Sequence, residues 1–300
     1  MKKLMVTGAG GLLAEELIAQ LINRNIEHII AVSTQSQTLE KKYSVYPQVS
    51  CLSWDALSGF DFSGVDAVVH CAFARKEECA DISDSLCRTA ELLTFVGKSG
   101  KKIPFVQISS RSVYGQQEPL WTEDTHCEPA SPYALGKVMQ ELLLRQAAQF
   151  YGFPFTILRL SALICPRMNQ RIVYKMVQQA VVNGRIKVIG GTQQFSLLDC
   201  RDAASGIIAL LRRDAGQWKD IYNLGTMECL RLEQIAELIR TVGKEAYQIC
   251  VTIEKESREV HMVDGMVCTR FYEDTRWQPQ YHMHDIIAHL FDHCIHENQR

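Results

Sequence analysis

Through the first half of the chain, short apolar runs alternate with longer amphipathic stretches. Runs at 3–7, 28–33, 49–53, 67–71, 105–109 and 155–160 are mostly apolar, as strands of a parallel sheet buried on both faces would be. Between them, 11–23, 82–96 and 133–150 repeat their apolar positions at helical intervals. This alternation predicts an α/β fold, a Rossmann-type doubly wound parallel sheet. A further strand is expected at 221–225. Beyond residue 160 the pattern loosens, with helical spacing at 172–183, 201–213, 232–242 and 284–296. The expected organisation is a dinucleotide-binding domain over 1–160 and a smaller C-terminal substrate lobe over 161–300, some of whose segments return to the first domain.

Composition narrows the class. With 300 residues, 47% hydrophobic and 22% charged, and a formal net charge of −2, the chain reads as an ordinary soluble protein without the basic face a nucleic acid needs. No apolar run approaches membrane-spanning length. The 11 cysteines are dispersed and form no C-x-x-C pair, which points to free thiols in a reducing compartment. The start, MKKLMVTGAGGLLAEE, enters a strand at once and is broken by glycines and by Glu15 and Glu16. A cytoplasmic protein is therefore expected.

Chemistry first shows in TGAGGLLA, residues 7–14, which follows the first strand and opens the first helix. Gly8 can make a tight turn there. Gly11 lets the backbone approach a pyrophosphate at the helix N-terminus, and Ala14 permits close helix–strand packing. The second strand ends in AVSTQSQ, with Ser33 where an NAD site usually carries a carboxylate for the ribose 2′-hydroxyl. Without that acid a 2′-phosphate is not repelled. Ser33, Thr34 and Ser36 can donate to it and Lys41 or Lys42 can reach it, so NADP is preferred over NAD.

SPYALGK, residues 131–137, places Tyr133 and Lys137 four positions apart on one face of a helix that Ser131 caps and Pro132 opens. An ammonium beside a phenol lowers its pKa from about 10. The tyrosine can then exchange a proton with an alcohol or ketone near neutral pH. Ser110, at the end of a strand in ISSRSVYG, can bind the same substrate oxygen.

With these motifs the chain resembles the extended short-chain dehydrogenase/reductase superfamily, in particular the NAD-dependent epimerase/dehydratase family that includes UDP-galactose 4-epimerase. The resemblance runs through TGAGGLLA, Asp55 in SWDAL, DAVVHCAFA, ISSRSVYG, SPYALGK and ILRLSALICP, and more weakly through LLDCRDAASG and IYNLGT. It implies catalytic roles for Ser110, Tyr133 and Lys137. It implies cofactor contacts at Gly8, Gly11, Leu12, Leu13, Ser33, Asp55, Ala56, Cys71, Ala72 and Ala74, with Tyr133 and Lys137. A homodimer built on the helices at 82–96 and 133–150 is implied as well.

Four positions depart from the family pattern. Ser33 replaces the acid after the second strand, and Ser85 stands where an asparagine is frequent. Arg111-Ser112 replaces the Asp-Glu pair of the 4,6-dehydratases. No basic residue lies near Phe195, where an arginine often grips a nucleotide-sugar diphosphate. The expected function is NAD(P)-dependent hydride transfer at a hydroxyl or ketone carbon of a sugar nucleotide or related keto compound. The alternatives are an NAD-retaining sugar-nucleotide epimerase and a non-catalytic NAD(P)-sensing regulator. His282, His284, His289, His293 and His296 crowd the C-terminus, yet Ile286, Ile287, Leu290, Phe291 and Ile295 give the same segment a core stripe. A closing helix without a metal is expected.

Overall fold

The protein is described by a computed structural model for residues 2–24, 26–75, 78–115, 120–260 and 262–298. In chain order its first elements are β1 (Lys3–Thr7), α1 (Leu12–Ile22), β2 (His28–Ser33), α2 (Ser36–Tyr43), β3 (Val49–Ser53), β4 (Ala67–His70), α3 (Cys79–Lys98), β5 (Phe105–Ser110), α4 (Pro132–Tyr151) and β6 (Phe155–Leu160). Then follow β7 (Ala162–Ile164), α5 (Ile172–Asn183), β8 (Arg185–Ile189), β9 (Gln194–Phe195), β10 (Leu197–Asp199), α6 (Cys200–Leu211), β11 (Ile221–Leu224), β12 (Leu230–Arg231), α7 (Leu232–Tyr247), β13 (Thr252–Glu256), α8 (Thr269–Thr275) and α9 (Met283–Asn298).

Seven strands form one parallel sheet in the order β11-β6-β5-β4-β1-β2-β3. Alternate strand residues serve opposite faces. Leu4, Val6, Ile29, Ala31 and Val69 pack with α1 and α6 on one side, while Met5, Ile30, Val32 and Val68 pack with α3 and α4 on the other. The near-continuous apolar runs follow from this burial on both faces. After β1 the chain builds outward through β2 and β3, then returns to lay β4 on the opposite flank of β1. That reversal opens a crevice at the C-terminal ends of β1 and β4, where such sheets bind ligands.

The second half folds around its own core. Val173 and Tyr174 of α5, Ile235 and Ile239 of α7, and Ile287, Leu290 and Phe291 of α9 meet there beside Ile186 and Val188 of β8. The strand β11 leaves this core and joins the main sheet beside β6. The pattern of the sequence did not suggest α2, which buries only Leu39 and Tyr43. It also missed β7, β9, β10 and β12, which are two or three residues long and too short to show a period. The helix α9 buries Met283, Ile286, Ile287, Leu290, Phe291 and Cys294. On its outer side His293 meets Glu297 at 3.3 Å and rests near the Tyr174 ring. Among the described residues no helix is long and apolar enough to cross a membrane, and no three His, Cys, Asp or Glu side chains are placed to hold a metal ion.

One buried ion pair fastens α4 to the sheet. Arg159 of β6 donates from Nε to Glu141 Oε1 at 3.1 Å and from Nη2 to Glu141 Oε2 at 2.8 Å. The Ser109 hydroxyl on β5 donates to the same Glu141 Oε1 at 2.5 Å. The guanidinium also lies 4.9 Å from the centre of the Tyr114 ring. Both charged side chains are 5% exposed, so removing one partner leaves the other charge buried and unmatched. Glu141→Ala is expected to lower the unfolding free energy by about 3–5 kcal/mol, measured by urea denaturation. A loss below about 1 kcal/mol, the scale of an exposed pair, would show that the pair does not anchor the helix.

Candidate active site

At the end of β1, Gly8 adopts φ +67°, a left-handed conformation, and a Cβ there would lie 2.7 Å from the Ala72 backbone. Only glycine fits such a turn. Its carbonyl accepts from Gly11 N at 2.8 Å. Gly11 then caps α1 without a side-chain hydrogen bond, which leaves the first-turn N–H groups, those of Leu12 and Leu13 included, directed at the crevice. Ala14 is fully buried. A backbone cradle that a Cβ would fill, with unclaimed amides at a helix N-terminus, fits the pyrophosphate of a dinucleotide.

The remaining cofactor candidates border this cradle from neighbouring strands. Ser33 ends β2, and its Oγ accepts from Gln35 N at 3.1 Å, which leaves its own hydrogen to donate. Lys42, one of the two lysines expected near a 2′-phosphate, instead pairs with Glu15 at 2.7 Å. Asp55 and Ala56 are exposed on the turn after β3, and Ala56 N donates to Ser53 Oγ at 3.3 Å. Cys71, Ala72 and Ala74 follow β4. Ala74 N donates to Ser85 Oγ at 3.1 Å, and that hydroxyl donates to Asp81 O at 2.8 Å. Ser85, read from the sequence as a departure, thus fastens the loop that carries Cys71–Ala74. Burial pushes the Cys71 thiol up to about 12, so it serves as an apolar wall.

Tyr133 is the second residue of α4, where Ser131 Oγ accepts from Ala134 N at 3.2 Å and Pro132 occupies the first position. Its ring meets Phe73 edge-on at 5.8 Å. Burial raises the phenol pKa above its usual value, and Arg75, the Ser110 hydroxyl and Arg171 act against that rise. Ser110, at the end of β5, accepts from Ser112 N at 3.2 Å and from Ser112 Oγ at 2.9 Å.

Lys137 lies one turn further along α4 and is 3% exposed. Its Nζ donates to Ile108 O at 2.8 Å and to Gln140 Oε1 at 3.0 Å, and it sits 4.4 Å from the centre of the Phe73 ring. Burial lowers its pKa to about 7, against the pull of Cys71 and Glu141. The sequence assigned Lys137 the task of stabilising the phenolate. In the structure the cations that act on the phenol are Arg75 and Arg171, while the ammonium is held by a carbonyl, an amide and an aromatic face.

Gln140 extends the arrangement inward. Its Nε2 donates to Thr89 Oγ1 at 2.9 Å. His70 Nε2 meets the same Thr89 Oγ1 at 3.0 Å, and His70 Nδ1 meets Thr7 Oγ1 at 2.6 Å. Desolvation, with Lys137 adding to it, drops His70 to about 3. The imidazole is therefore neutral and one of its nitrogens accepts. The sequence reading missed Arg75, Gln140, Glu141, Arg171 and Asp264 as members of the site. Gln140 and Glu141 were within reach of it, being three and four residues after Lys137 on one helix.

Comparison with known proteins identifies the family and the fold. A model of the NAD dependent epimerase/dehydratase family matches residues 4–225. A dTDP-glucose 4,6-dehydratase of Haemophilus influenzae is 24% identical over 320 aligned positions, spanning 93% of this chain and 94% of that protein. The structure of UDP-glucuronic acid 4-epimerase from Bacillus cereus in complex with NAD superposes with a TM-score of 0.79 at 19% identity, over 97% of this chain and 96% of the other. The structure of RMD from Pseudomonas aeruginosa complexed with NADPH gives 0.76 at 21% identity, over 99% and 100%.

The depressed Lys137 pKa has a consequence for stability. Between about 7 in the folded protein and about 10.4 in the unfolded chain, the unfolded state binds the extra proton, so stability rises with pH across that window. Lys137→Met lacks this contribution. Wild-type stability relative to the variant is expected to be flat below pH 7 and to climb by a few kcal/mol towards pH 10. Urea denaturation at several pH values tests this, and parallel pH profiles for the two proteins would contradict the burial argument.

Proposed function

Because the chain belongs to the NAD dependent epimerase/dehydratase family, we propose that it is an NADP-dependent reductase acting on the ketone carbon of a sugar nucleotide or related keto compound. The observation that carries the reading is the Tyr133 site. A phenol at the mouth of the crevice faces a strand-end serine, with a buried lysine one helical turn behind it. When bound, the nicotinamide supplies the hydride. Ser110 orients the substrate oxygen, Tyr133 gives it a proton, and Lys137 holds the ribose side of the pocket. Nothing in Arg111-Ser112 supplies the acid and base pair that water loss requires, so dehydration is set aside.

The preference for NADP rests on Ser33, whose hydroxyl hydrogen is free to meet a 2′-phosphate and which brings no carboxylate to repel it. The engagement of Lys42 by Glu15 leaves Lys41 as the cation of that turn. A second reading, an epimerase that keeps its NAD, draws support from the NAD-bound epimerase neighbour. A homodimer is part of the proposal. Leu135, Met139 and Leu142, spaced along one side of α4, are 50%, 44% and 56% exposed, an apolar stripe suited to pairing with a second copy.

Tyr133→Phe should keep cofactor binding and lose roughly a hundredfold or more in kcat. Fluorescence titration should show NADPH binding tighter than NADH, and a 4-keto sugar nucleotide should consume NADPH in proportion to product. A Phe variant with near wild-type turnover would remove Tyr133 from the chemistry. Sedimentation should give a dimer that Leu135→Glu or Leu142→Glu converts to monomer; a monomeric wild type would rule the interface out.

A further inference from the structure

Three arginines, Arg75, Arg111 and Arg171, act on one another or on the Tyr133 phenol, and among the described residues one carboxylate, Asp264, pairs with them. Arg111 directly follows Ser110, and its Nη1 lies 3.2 Å from Asp264 Oδ1. The Asp264 side chain is 1% exposed, and neither of its carboxylate oxygens makes a well-directed hydrogen bond. Burial raises its carboxyl pKa, and Arg111, the Ser196 and Gly265 amides and Arg171 act against that rise. Arg171 is the residue that caps α5 and is half-buried. Arg75 lies two residues beyond Phe73, whose ring touches Tyr133. Among the described residues, no ion pair or hydrogen bond engages the guanidinium of Arg75 or Arg171.

These groups feel one another. Burial, Arg75 and Arg111 all push the Arg171 guanidinium below its usual range, and Cys200 and Asp264 only partly offset them. Arg75 and Arg171 in turn bear on the Tyr133 phenol. Among the described residues, three positive charges against one negative leave an excess of positive charge beside the reacting position. A concave site with such an excess attracts an anion, and arginine forks match a carboxylate in bidentate fashion.

We propose that Arg75, Arg111 and Arg171 form a receptor for a carboxylate on the substrate itself, carried next to the carbon that Tyr133 serves. The substrate class is then an acidic, uronate-type sugar nucleotide in place of a neutral one. The inference rests on the sugar-nucleotide reading of the site. Position argues for the sugar carboxylate over the diphosphate. Arg111 adjoins Ser110 and the other two act on the phenol, so all three address the reacting end of the ligand. The diphosphate lies across the sugar ring from that end. The charge also couples to the chemistry, because a carboxylate that neutralises Arg75 and Arg171 removes two of the three groups opposing the rise in the phenol pKa. Tyr133 is then held protonated, the form that can donate to a ketone.

The test is calorimetric titration of the NADPH-saturated protein with UDP-glucuronic acid, UDP-glucose and UDP. Wild type should bind UDP-glucuronic acid roughly tenfold or more tightly than UDP-glucose. Arg171→Gln and Arg75→Gln, checked for folding by circular dichroism, should abolish that preference and leave UDP affinity unchanged. Equal wild-type affinity for the two sugar nucleotides would overturn the proposal. So would an equal loss of UDP affinity in the arginine variants, which would place the cluster on the diphosphate. If none of the three nucleotides binds, the sugar-nucleotide reading fails on its own, and free D-glucuronate against D-glucose decides the cluster. A glucuronate preference lost in Arg171→Gln supports the carboxylate receptor, and no preference overturns it.

Discussion

The buried pair between Arg159 and Glu141 sets the position of α4, and with it Tyr133 and Lys137. Glu141 is held by β6 through two guanidinium bonds and by β5 through Ser109. One turn before Glu141 comes Lys137, and one turn before that Tyr133. A helix pinned at one residue has its neighbours fixed by the 3.6-residue period, so the pair fixes which way the lysine and the phenol face. A buried pair of this kind adds little net stability compared with apolar packing. Its contribution here is registry, because the helix cannot rotate or slide without parting two desolvated charges.

A second constraint comes from the crevice floor. Lys137 is taken out of water and meets Ile108 O and Gln140 in place of a carboxylate. The polar chain behind it runs through Thr89, His70 and Thr7, from α3 to β4 to β1. These residues tie the lysine to the two strands whose divergence creates the cofactor crevice. At the top of the same strands Gly8 lies against Ala72, so the glycine turn and the lysine share one rigid base.

Much of this was legible in the chain. The runs buried on both faces gave the six leading strands to within a residue, and the glycine turn stood in the right order between strand and helix. Tyr133 and Lys137 could be named as candidates from their spacing on one helix, and Ser110 from its place at a strand end. Asp264 and Arg171 could not, since they come to the site from the second half by tertiary packing, with no spacing to announce them. Arg75 and Arg111 were visible only as neighbours of assigned residues. The short strands β7, β9, β10 and β12 were lost for a related reason: two or three residues pair only because distant segments bring them together. The contacts of Lys137 could not be read from spacing, because i and i+4 place two side chains on one face without fixing where a long side chain ends. Here a carbonyl and an amide claim its ammonium.

The most direct measurement of the central claim follows an isotope. The reaction should be run with NADPH deuterated on the transferred position of the nicotinamide, and the product mass determined. A reductase with Tyr133 as proton donor places one deuterium on the former ketone carbon in each product molecule, with one equivalent of oxidised cofactor released. Unlabelled, interconverting epimers with the cofactor left unconsumed would contradict the account and put a cofactor-retaining epimerase in its place.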